Sequence, residues 1–184
     1  MAALVVGGMA FTSSASATSV GITDFRMYNS TTRIDPATAP AGSLRGFWIQ
    51  VKFTSALAVG QKVSIMGPTG ASFSSNLNDY TMNLNGYAGP PTAAAPLNGG
   101  QGVELTVPVA ITANDSRYIT FGGGFPNVTK TGVGTQSGPR SMSVSTTTDT
   151  TPTATPTYEI TPGPVDHIGI PGGGAVSATV GTNF

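Results

Sequence analysis

Apolar residues recur at every second position along most of this chain, and this period of two constrains the fold more than any other feature. Residues 44–53 show it most clearly. One face would carry Phe47, Ile49, Val51 and Phe53, and the other would carry Trp48, Gln50 and Lys52. Because successive side chains of a strand point to opposite faces, the first set is predicted to be core. Trp48 is then expected on the outer face or under a loop.

The same alternation predicts about eight short strands in all. The other apolar sets are Val20–Ile22 with Phe25–Met27, Val63–Ile65, Tyr80–Met82–Leu84, Val103–Leu105–Val107–Val109, Ile119–Phe121, Met142–Val144 and Tyr158–Ile160. The phase changes between Ile22 and Phe25, which predicts either a bulge near Thr23-Asp24 or a strand that changes sheets. Pro108 cannot donate to a sheet, so residues 103–109 are expected to form an edge strand or to carry a bulge.

Three segments are rich in turn-forming residues. Residues 29–42 contain Asp35-Pro36 and Ala39-Pro40, residues 67–70 read Gly-Pro-Thr-Gly, and residues 86–102 are a Gly/Pro/Ala-rich stretch. Such compositions are typical of turns and loops. We therefore expect a turn-like connection in the first, a tight turn in the second and a long loop in the third.

Short strands separated by turns favour two packed antiparallel sheets. The predicted fold is an all-β, immunoglobulin-like antiparallel β-sandwich over residues 18–160, and a closed barrel is the alternative. Residues 161–164 read Thr-Pro-Gly-Pro, which is typical of a semi-rigid linker. Residues 165–184 resume the alternation but are too few to enclose a core. They are predicted to be the first strands of a second, truncated immunoglobulin-like domain.

The amino terminus resembles an export signal. Residues 2–11 are apolar, and small polar residues lead from there to Ala15-Ser16-Ala17. An apolar run of about 7–15 residues followed by an A-x-A pattern is typical of a secretory signal. Residues 1–17 are therefore predicted to be a signal peptide, with the mature chain starting at Thr18. No basic residue precedes the run, so the true start could lie upstream, or the run could be a buried strand.

The charge and cysteine content exclude several classes of function. The chain has eight basic and eight acidic residues and a formal net charge of zero, so nothing in it favours binding to nucleic acid. It contains no cysteine, which excludes a disulfide scaffold, a thiolate metal site and a cysteine nucleophile. The apolar run at the amino terminus is shorter than the ~20 residues of a membrane span.

Several segments resemble the immunoglobulin-like repeats of large exported bacterial surface proteins, of the adhesin and invasin type. Residues 53–65, FTSALAVGQKVSI, are similar to a Phe-Thr-Thr…Leu-x-x-Gly-x-x-Ile-x-Ile segment of those repeats. Residues 121–127 and 141–149 resemble later segments, although Pro126-Asn127 reverses the usual Asn-Pro order. Residues 163–170 and 178–181 resemble the start of a further repeat. The resemblance implies the sandwich fold and a role as stalk, spacer or adhesive module.

No set of residues predicts a catalytic, cofactor or metal site. His167 is the single histidine, and without a second His or any Cys it makes a poor transition-metal site. Calcium beside Asp149 or Asp166 is an alternative hypothesis, in which loop carbonyls would complete the oxygen shell. The acidic residues are Asp24, Asp35, Asp79, Asp115, Asp149, Asp166, Glu104 and Glu159, with no local clustering. A stacking platform for sugar could be formed by Trp48, Tyr80, Tyr87 and Tyr118.

The sequence predicts a non-catalytic structural or adhesive module of a secreted, cell-surface or cell-wall repeat protein. Its expected partners are neighbouring immunoglobulin-like domains of the same chain, and possible partners include other surface proteins or glycans. The first alternative is a carbohydrate-binding accessory module of a secreted enzyme. The second is a self-assembling filament or surface-layer subunit. We predict no enzyme activity and no cofactor.

Overall fold

The computed structural model describes residues 18–29, 32–33, 37–121, 131–163, 168–170 and 174–176. Within them lie eighteen strands and two 3-10 helices, at Leu77–Asp79 and Asn98–Gly100. The strands are β1 (Gly21–Asn29), β2 (Thr32–Arg33), β3 (Thr38–Pro40), β4 (Leu44–Lys52), β5 (Lys62–Met66), β6 (Ala71–Ser72), β7 (Tyr80–Leu84), β8 (Tyr87–Gly89), β9 (Ala94–Leu97), β10 (Gly102–Thr106), β11 (Ser116–Phe121), β12 (Thr131–Val133), β13 (Gly138–Arg140), β14 (Ser143–Thr146), β15 (Thr153–Ala154), β16 (Tyr158–Thr161), β17 (Ile168–Ile170) and β18 (Gly174–Val176). Neither helix is long and apolar enough to cross a membrane.

Two antiparallel sheets and a smaller third sheet build the molecule. The first sheet has the order β2-β1-β4-β11-β7-β8, with β12 bridging the start of β4 to β6. The second sheet has the order β15-β14-β5-β10-β9, and the third has β13-β16-β3. Strands β17 and β18 form a separate antiparallel pair. This all-β sandwich confirms the predicted fold class and is consistent with an immunoglobulin-like sandwich.

All three sheets contribute side chains to one hydrophobic core. Most of the alternating apolar residues predicted as core are at most 9 % exposed, whereas Ile22 and Val109 are only partly buried. The buried residues include Phe25, Met27, Phe47, Ile49, Val51, Tyr80, Met82, Leu84 and Ile119 from the first sheet, Val63, Ile65, Val103, Leu105 and Val144 from the second, and Tyr158 and Ile160 from the third. Burial of these side chains is the main force that holds the sheets together.

Three aromatic rings connect the first sheet to the third inside this core. Phe47 lies 5.5 Å from Tyr158 and 5.9 Å from Phe25, between ring centroids. The hydroxyl of Tyr158 donates to the Val133 carbonyl at 2.8 Å. Burial raises the pKa of Tyr158 well above its ordinary value, because the charged phenolate would lose its hydration. This hydroxyl is therefore a neutral, structural donor.

The predicted bulge in the first strand is confirmed. Ile22 pairs with Val51 and Asp24 pairs with Gln50, so Thr23 is an extra residue on β1. The extra residue changes the phase of the strand, which keeps Phe25 and Met27 on the core face. The same change places Asp24, Arg26 and Tyr28 on the outer face of the first sheet.

The prediction of a long loop over residues 86–102 was wrong. This segment contains β8, β9 and the second 3-10 helix. Asn85 and Gly86 have φ values of 30° and 81° and connect β7 to β8 through a two-residue turn, with Leu84 paired to Tyr87. Asn-Gly is the strongest short hairpin signal, because both residues tolerate positive φ, and the prediction overlooked it. Among the described strands β9 pairs only with β10, which allows it to contain Pro96.

The predicted edge position of residues 103–109 was also wrong. Strand β10 lies between β5 and β9, in the interior of the second sheet. It ends at Thr106, before Pro108, so the proline occupies no place in the ladder. The turn-like prediction for residues 29–42 was wrong in part, because β2 and β3 lie within it. Strand β3 pairs in parallel with β16, a long-range contact that local composition cannot indicate.

Three predicted segments lie wholly or partly outside the described residues. Residues 1–17, predicted as a signal peptide, are outside them, as are residues 122–130 and 164–167. Of the predicted linker, Thr161 ends β16, and residues 162–163 follow it without regular structure. Of the predicted second domain, the described part is the β17–β18 pair.

Candidate functional site

The most distinctive surface of the described residues is an aromatic cluster on the outer face of the first sheet, formed by Arg26, Tyr28, Trp48 and Tyr118. Trp48 lies in the middle of β4 and is half-buried. It pairs directly with Arg26 on β1 and with Thr120 on β11. Tyr28 lies two residues after Arg26 on β1, and Tyr118 lies two residues before Thr120 on β11, so both are on the same face as Trp48. The side-chain alternation of three neighbouring strands thus brings the cluster together.

The Trp48 ring contacts three other members of the cluster. The guanidinium carbon of Arg26 lies 4.9 Å from the ring centroid, within the range of a cation–π interaction. The Tyr118 ring meets it edge to face, with centroids 4.8 Å apart and an interplanar angle of 82°. The Tyr28 ring lies 6.4 Å away at 26°. Edge-to-face and cation–π contacts both favour a fixed arrangement of the cluster.

Asp24 holds the Arg26 side chain in place. The Nε and Nη2 atoms of Arg26 both lie 2.7 Å from Asp24 Oδ2, as a charge-assisted hydrogen bond and ion pair. The hydrogen bond that Arg26 donates to Asp24 is the largest cause that raises the pKa of Arg26 above its ordinary value. Arg26 therefore remains a cation beside the Trp48 ring, and its charge is balanced locally.

The predicted sugar platform is only partly assembled. Trp48 and Tyr118 are neighbours, but Tyr80 is 2 % exposed in the core and its hydroxyl donates to the Ser74 carbonyl. Tyr87 lies on β8, where its hydroxyl donates to the Pro90 carbonyl at 2.6 Å. The prediction missed Arg26 and Tyr28, although the phase change at Thr23 already places both on the outer face. The rings of Trp48 and Tyr118 are nearly perpendicular, so they do not form one flat surface.

The Trp48 indole nitrogen is buried, and it has no hydrogen-bond acceptor among the described residues. A buried donor without an acceptor costs about 1–3 kcal/mol. The contacts that Trp48 makes with Arg26 and Tyr118 must outweigh this cost. The position of the indole therefore depends on the contacts of its ring with Arg26 and Tyr118 and not on a hydrogen bond from its N–H.

Two further acidic residues, Asp115 and Glu104, form ion pairs with basic residues close in space. Arg117 forms an ion pair with Asp115 and donates to Asn85 Oδ1 at 3.1 Å. Lys62 Nζ lies 3.4 Å from Glu104 Oε1. In the described part of the chain, no three His, Cys, Asp or Glu side chains are grouped in a way that could hold a metal ion. His167, Asp166 and Asp35 lie outside that part.

Asp149, the other acid considered for calcium, is fully buried and hydrogen-bonded within the protein. Its Oδ1 accepts from the Thr18 hydroxyl at 2.7 Å, and its Oδ2 accepts from the Ser55 N–H at 3.0 Å. Its own N–H donates to the Thr146 hydroxyl oxygen at 2.8 Å. Burial by itself raises the pKa of Asp149, but hydrogen bonds from Ser55, Thr18 and the Thr54 backbone outweigh it, so the pKa is lowered overall. Both carboxylate oxygens are thus engaged by the fold.

The sandwich has two poles, at opposite ends of β4. The amino-terminal pole is named for Ser19, near the start of the sandwich, and it lies beyond the last residue of β4. There the Thr54 hydroxyl donates to the Ser19 carbonyl at 2.6 Å. At the carboxyl-terminal pole, before the start of β4, the Ala41 N–H donates to the Thr161 carbonyl at 2.9 Å. Strand β4 has nine residues. At about 3.4 Å per residue, the poles are about 30 Å apart.

Comparison with known proteins gives no family for this chain. No protein-family model matches the sequence, and no curated protein matches it significantly. The fold and the geometry of the two poles are therefore the observations on which a function must be argued.

Proposed function

We propose that this protein is a non-catalytic structural or adhesive module of an exported cell-surface repeat protein, joined end to end with similar domains. The position of the two poles carries the proposal. The chain enters the sandwich at Ser19 and leaves it at Thr161, on opposite ends of β4. Domains joined through such ends extend in a line instead of folding back on one another. Each added domain lengthens the array by about 30 Å.

The direction of the terminal strands suits such an array. Strand β1 starts at the amino-terminal pole and runs antiparallel to β4 through seven paired positions, Gly21 to Tyr28 with one bulge. Strand β16 runs parallel to β3 and ends at the carboxyl-terminal pole. A pull on both ends would draw β1 and β16 along their own axes. Their hydrogen bonds would then be loaded together, which resists extension better than opening them one at a time.

Single-molecule stretching of a tandem of residues 18–163 would test this proposal. We expect a regular series of unfolding peaks, each releasing roughly 450–500 Å of chain at about 3.6 Å per residue. Small-angle scattering of the same tandem should give a maximum dimension that grows by about 30 Å with each added domain. A maximum dimension that barely increases with the number of domains would contradict an end-to-end array.

The matched control for the stretching experiment is the direction of pull. Force applied through cysteines placed at residues 18 and 58 would act on two segments near one pole and would open the strands in succession. We expect the unfolding force to fall in that geometry. Equal forces in the two geometries would mean that the terminal strands have no special mechanical role.

Carbohydrate binding is a second candidate, favoured by the aromatic cluster. Trp48 and Tyr118 expose part of their rings beside the polar side chains of Gln50, Asn83 and Thr81 on the same face of the first sheet. Aromatic rings bordered by amides and hydroxyls can bind sugar. Binding of the protein to insoluble polysaccharide would test this candidate. Loss of binding in Trp48→Ala would support it, provided that Tyr87→Phe, a change outside the cluster, leaves binding intact. Equal binding by both variants would reject it.

Assembly through open sheet edges is the weakest candidate. The outermost described strands of the two large sheets are β2, β8, β9 and β15, and each has two to four residues. Strand β9, the longest, contains Pro96, which offers no N–H to an added strand. Short edges with proline disfavour pairing with a second copy. Polymers seen by electron microscopy at high protein concentration would reverse this ranking.

A further inference from the structure

The buried Asp149 carboxylate has no basic partner among the residues that the structure describes. Its hydrogen-bond donors are hydroxyls and backbone N–H groups of Thr18, Ser55 and Thr54, all of them neutral. Among the residues that the structure describes, Asp149 forms no ion pair with Lys, Arg or His. A buried anion is usually paired with a positive charge. Neutral donors alone therefore stabilise this carboxylate, and a cation beside it would add a charge–charge attraction that the described side chains do not supply.

Thr18 is held against this carboxylate from two sides. Its hydroxyl donates to Asp149 Oδ1 at 2.7 Å, and its carbonyl accepts from the Thr151 N–H at 3.0 Å. These contacts fix the backbone of Thr18 next to Asp149. Covalent geometry then places the Thr18 α-nitrogen within about 6 Å of the carboxylate.

Thr18 is also the residue that follows Ala15-Ser16-Ala17, the pattern typical of a signal-peptidase cleavage site. Before cleavage, its α-nitrogen is a neutral amide in the Ala17–Thr18 peptide bond. Hydrolysis adds one water across this bond, which leaves a carboxylate on Ala17 and an amine on Thr18. The amine takes up a proton at neutral pH, because its ordinary pKa is about 7.7–8.0.

We propose that the bond between Ala17 and Thr18 is the processing site and that the new α-ammonium group of Thr18 forms an ion pair with Asp149, locking the mature fold. This inference rests on the proposed function, according to which the protein is exported. The precursor lacks the ion pair, so its sandwich is less stable than that of the mature protein. Cleavage thus couples the end of export to the stability of the folded domain.

Three proteins would test the lock: residues 18–184 with a free amine on Thr18, residues 18–184 with the Thr18 amine acetylated, and residues 17–184, which begin at Ala17. Urea unfolding at pH 6.5 keeps the amine protonated and the carboxylate ionised. We expect the unfolding equilibrium constant to be roughly tenfold smaller for the free Thr18 form than for the other two. Equal constants in the three forms would overturn the proposal.

The Asp149→Asn variant provides the matched control, since it removes the charge and keeps the size of the side chain. The difference between the free and acetylated forms should disappear in that background, and a difference that persists would overturn the pairing. If Asp149→Asn does not fold, acylation of the α-amine by a neutral reagent gives a second readout. The folded Thr18 form should react several-fold more slowly than the Ala17 form, and equal rates would overturn the lock.

Processing itself is tested separately from the lock. Mass analysis of the protein secreted by a bacterium that expresses the whole chain should find Thr18 at the amino terminus. Cleavage at another bond would overturn the assignment of the processing site. A chain that is not secreted at all would contradict the proposed export, whereas equal stabilities in the unfolding experiment would contradict the ion pair.

Discussion

Arg26 and Trp48 face each other across β1 and β4, with the guanidinium carbon 4.9 Å from the centroid of the indole ring. They meet because Thr23 is an extra residue in β1, which shifts the residues after it to the other face. Without the bulge, Arg26 would point into the core and Phe25 would point outward. A single inserted residue therefore organises both the core and the aromatic cluster.

Trp48→Ala should destabilise the domain by about 2 kcal/mol, because it removes a half-buried ring and its contacts with Arg26 and Tyr118. Urea unfolding followed by circular dichroism would measure the change. The matched control is Leu44→Ala on the same face of β4, where the side chain is 47 % exposed. That change should stay within about 0.5 kcal/mol. Equal effects of the two substitutions would mean that the cluster adds nothing to stability.

Asp149→Asn should destabilise the domain by about 2 kcal/mol at pH 7, because a buried hydrogen-bonded carboxylate is replaced by an amide that cannot accept on both atoms. The lowered pKa of Asp149 also gives a pH dependence. Its contribution is present above the pKa of an unfolded aspartate, about 3.9, and is lost as pH falls through the lower pKa of the folded state. The variant should therefore lose less stability between pH 5 and pH 2 than the parent protein.

Glu104→Gln is the control for that prediction. Glu104 forms a solvent-exposed ion pair with Lys62, with about a third of each side chain accessible. Such pairs contribute about 0–1 kcal/mol, so this variant should retain the acid dependence of the parent. Equal acid profiles for Asp149→Asn and the parent would contradict the role assigned to Asp149.

Tyr80 and Tyr158 should remain neutral as the pH rises past about 10, the ordinary pKa of a tyrosine. Burial raises the pKa of both hydroxyls above the ordinary value, so the folded state keeps protons that the unfolded state releases. Stability is therefore full below about pH 10 and declines as pH rises through the raised pKa values. An ultraviolet titration should show the ionisation of these two residues together with alkaline unfolding. In Tyr158→Phe, the absorbance change that accompanies alkaline unfolding should decrease by the contribution of one tyrosine. An unchanged amplitude would contradict the assignment.

Gly86→Ala should destabilise the domain by about 1 kcal/mol, since Gly86 has a φ of 81° that residues with a Cβ rarely adopt. No atom lies within 4 Å of the position where a Cβ would be, so the cost is conformational and not steric. Gly86→Asn is the matched variant, because asparagine tolerates this conformation better. Thermal unfolding should rank the proteins as parent, Gly86→Asn and Gly86→Ala. An alanine variant as stable as the parent would mean that the turn relaxes to another type.

The sequence by itself determined the class of fold and most of its core. Alternation of Phe47, Ile49 and Val51 is a local property, because successive side chains of any strand point to opposite faces. The bulge at Thr23 was predictable for the same reason, as a change of phase within one strand. The Asn85-Gly86 hairpin could also have been predicted from the sequence. It was missed because the Gly/Pro/Ala-rich composition of the residues after it indicated a loop.

Only the tertiary structure decided which strands are neighbours. Strand β3 pairs in parallel with β16 across more than a hundred residues, and β10 lies inside its sheet although Pro108 follows it closely. The aromatic cluster needs Arg26, Trp48 and Tyr118 on three adjacent strands, and the pocket for Asp149 needs Thr18 and Ser55 from distant segments. These contacts depend on how the sheets stack to exclude water, which is a property of the whole chain and not of any local pattern.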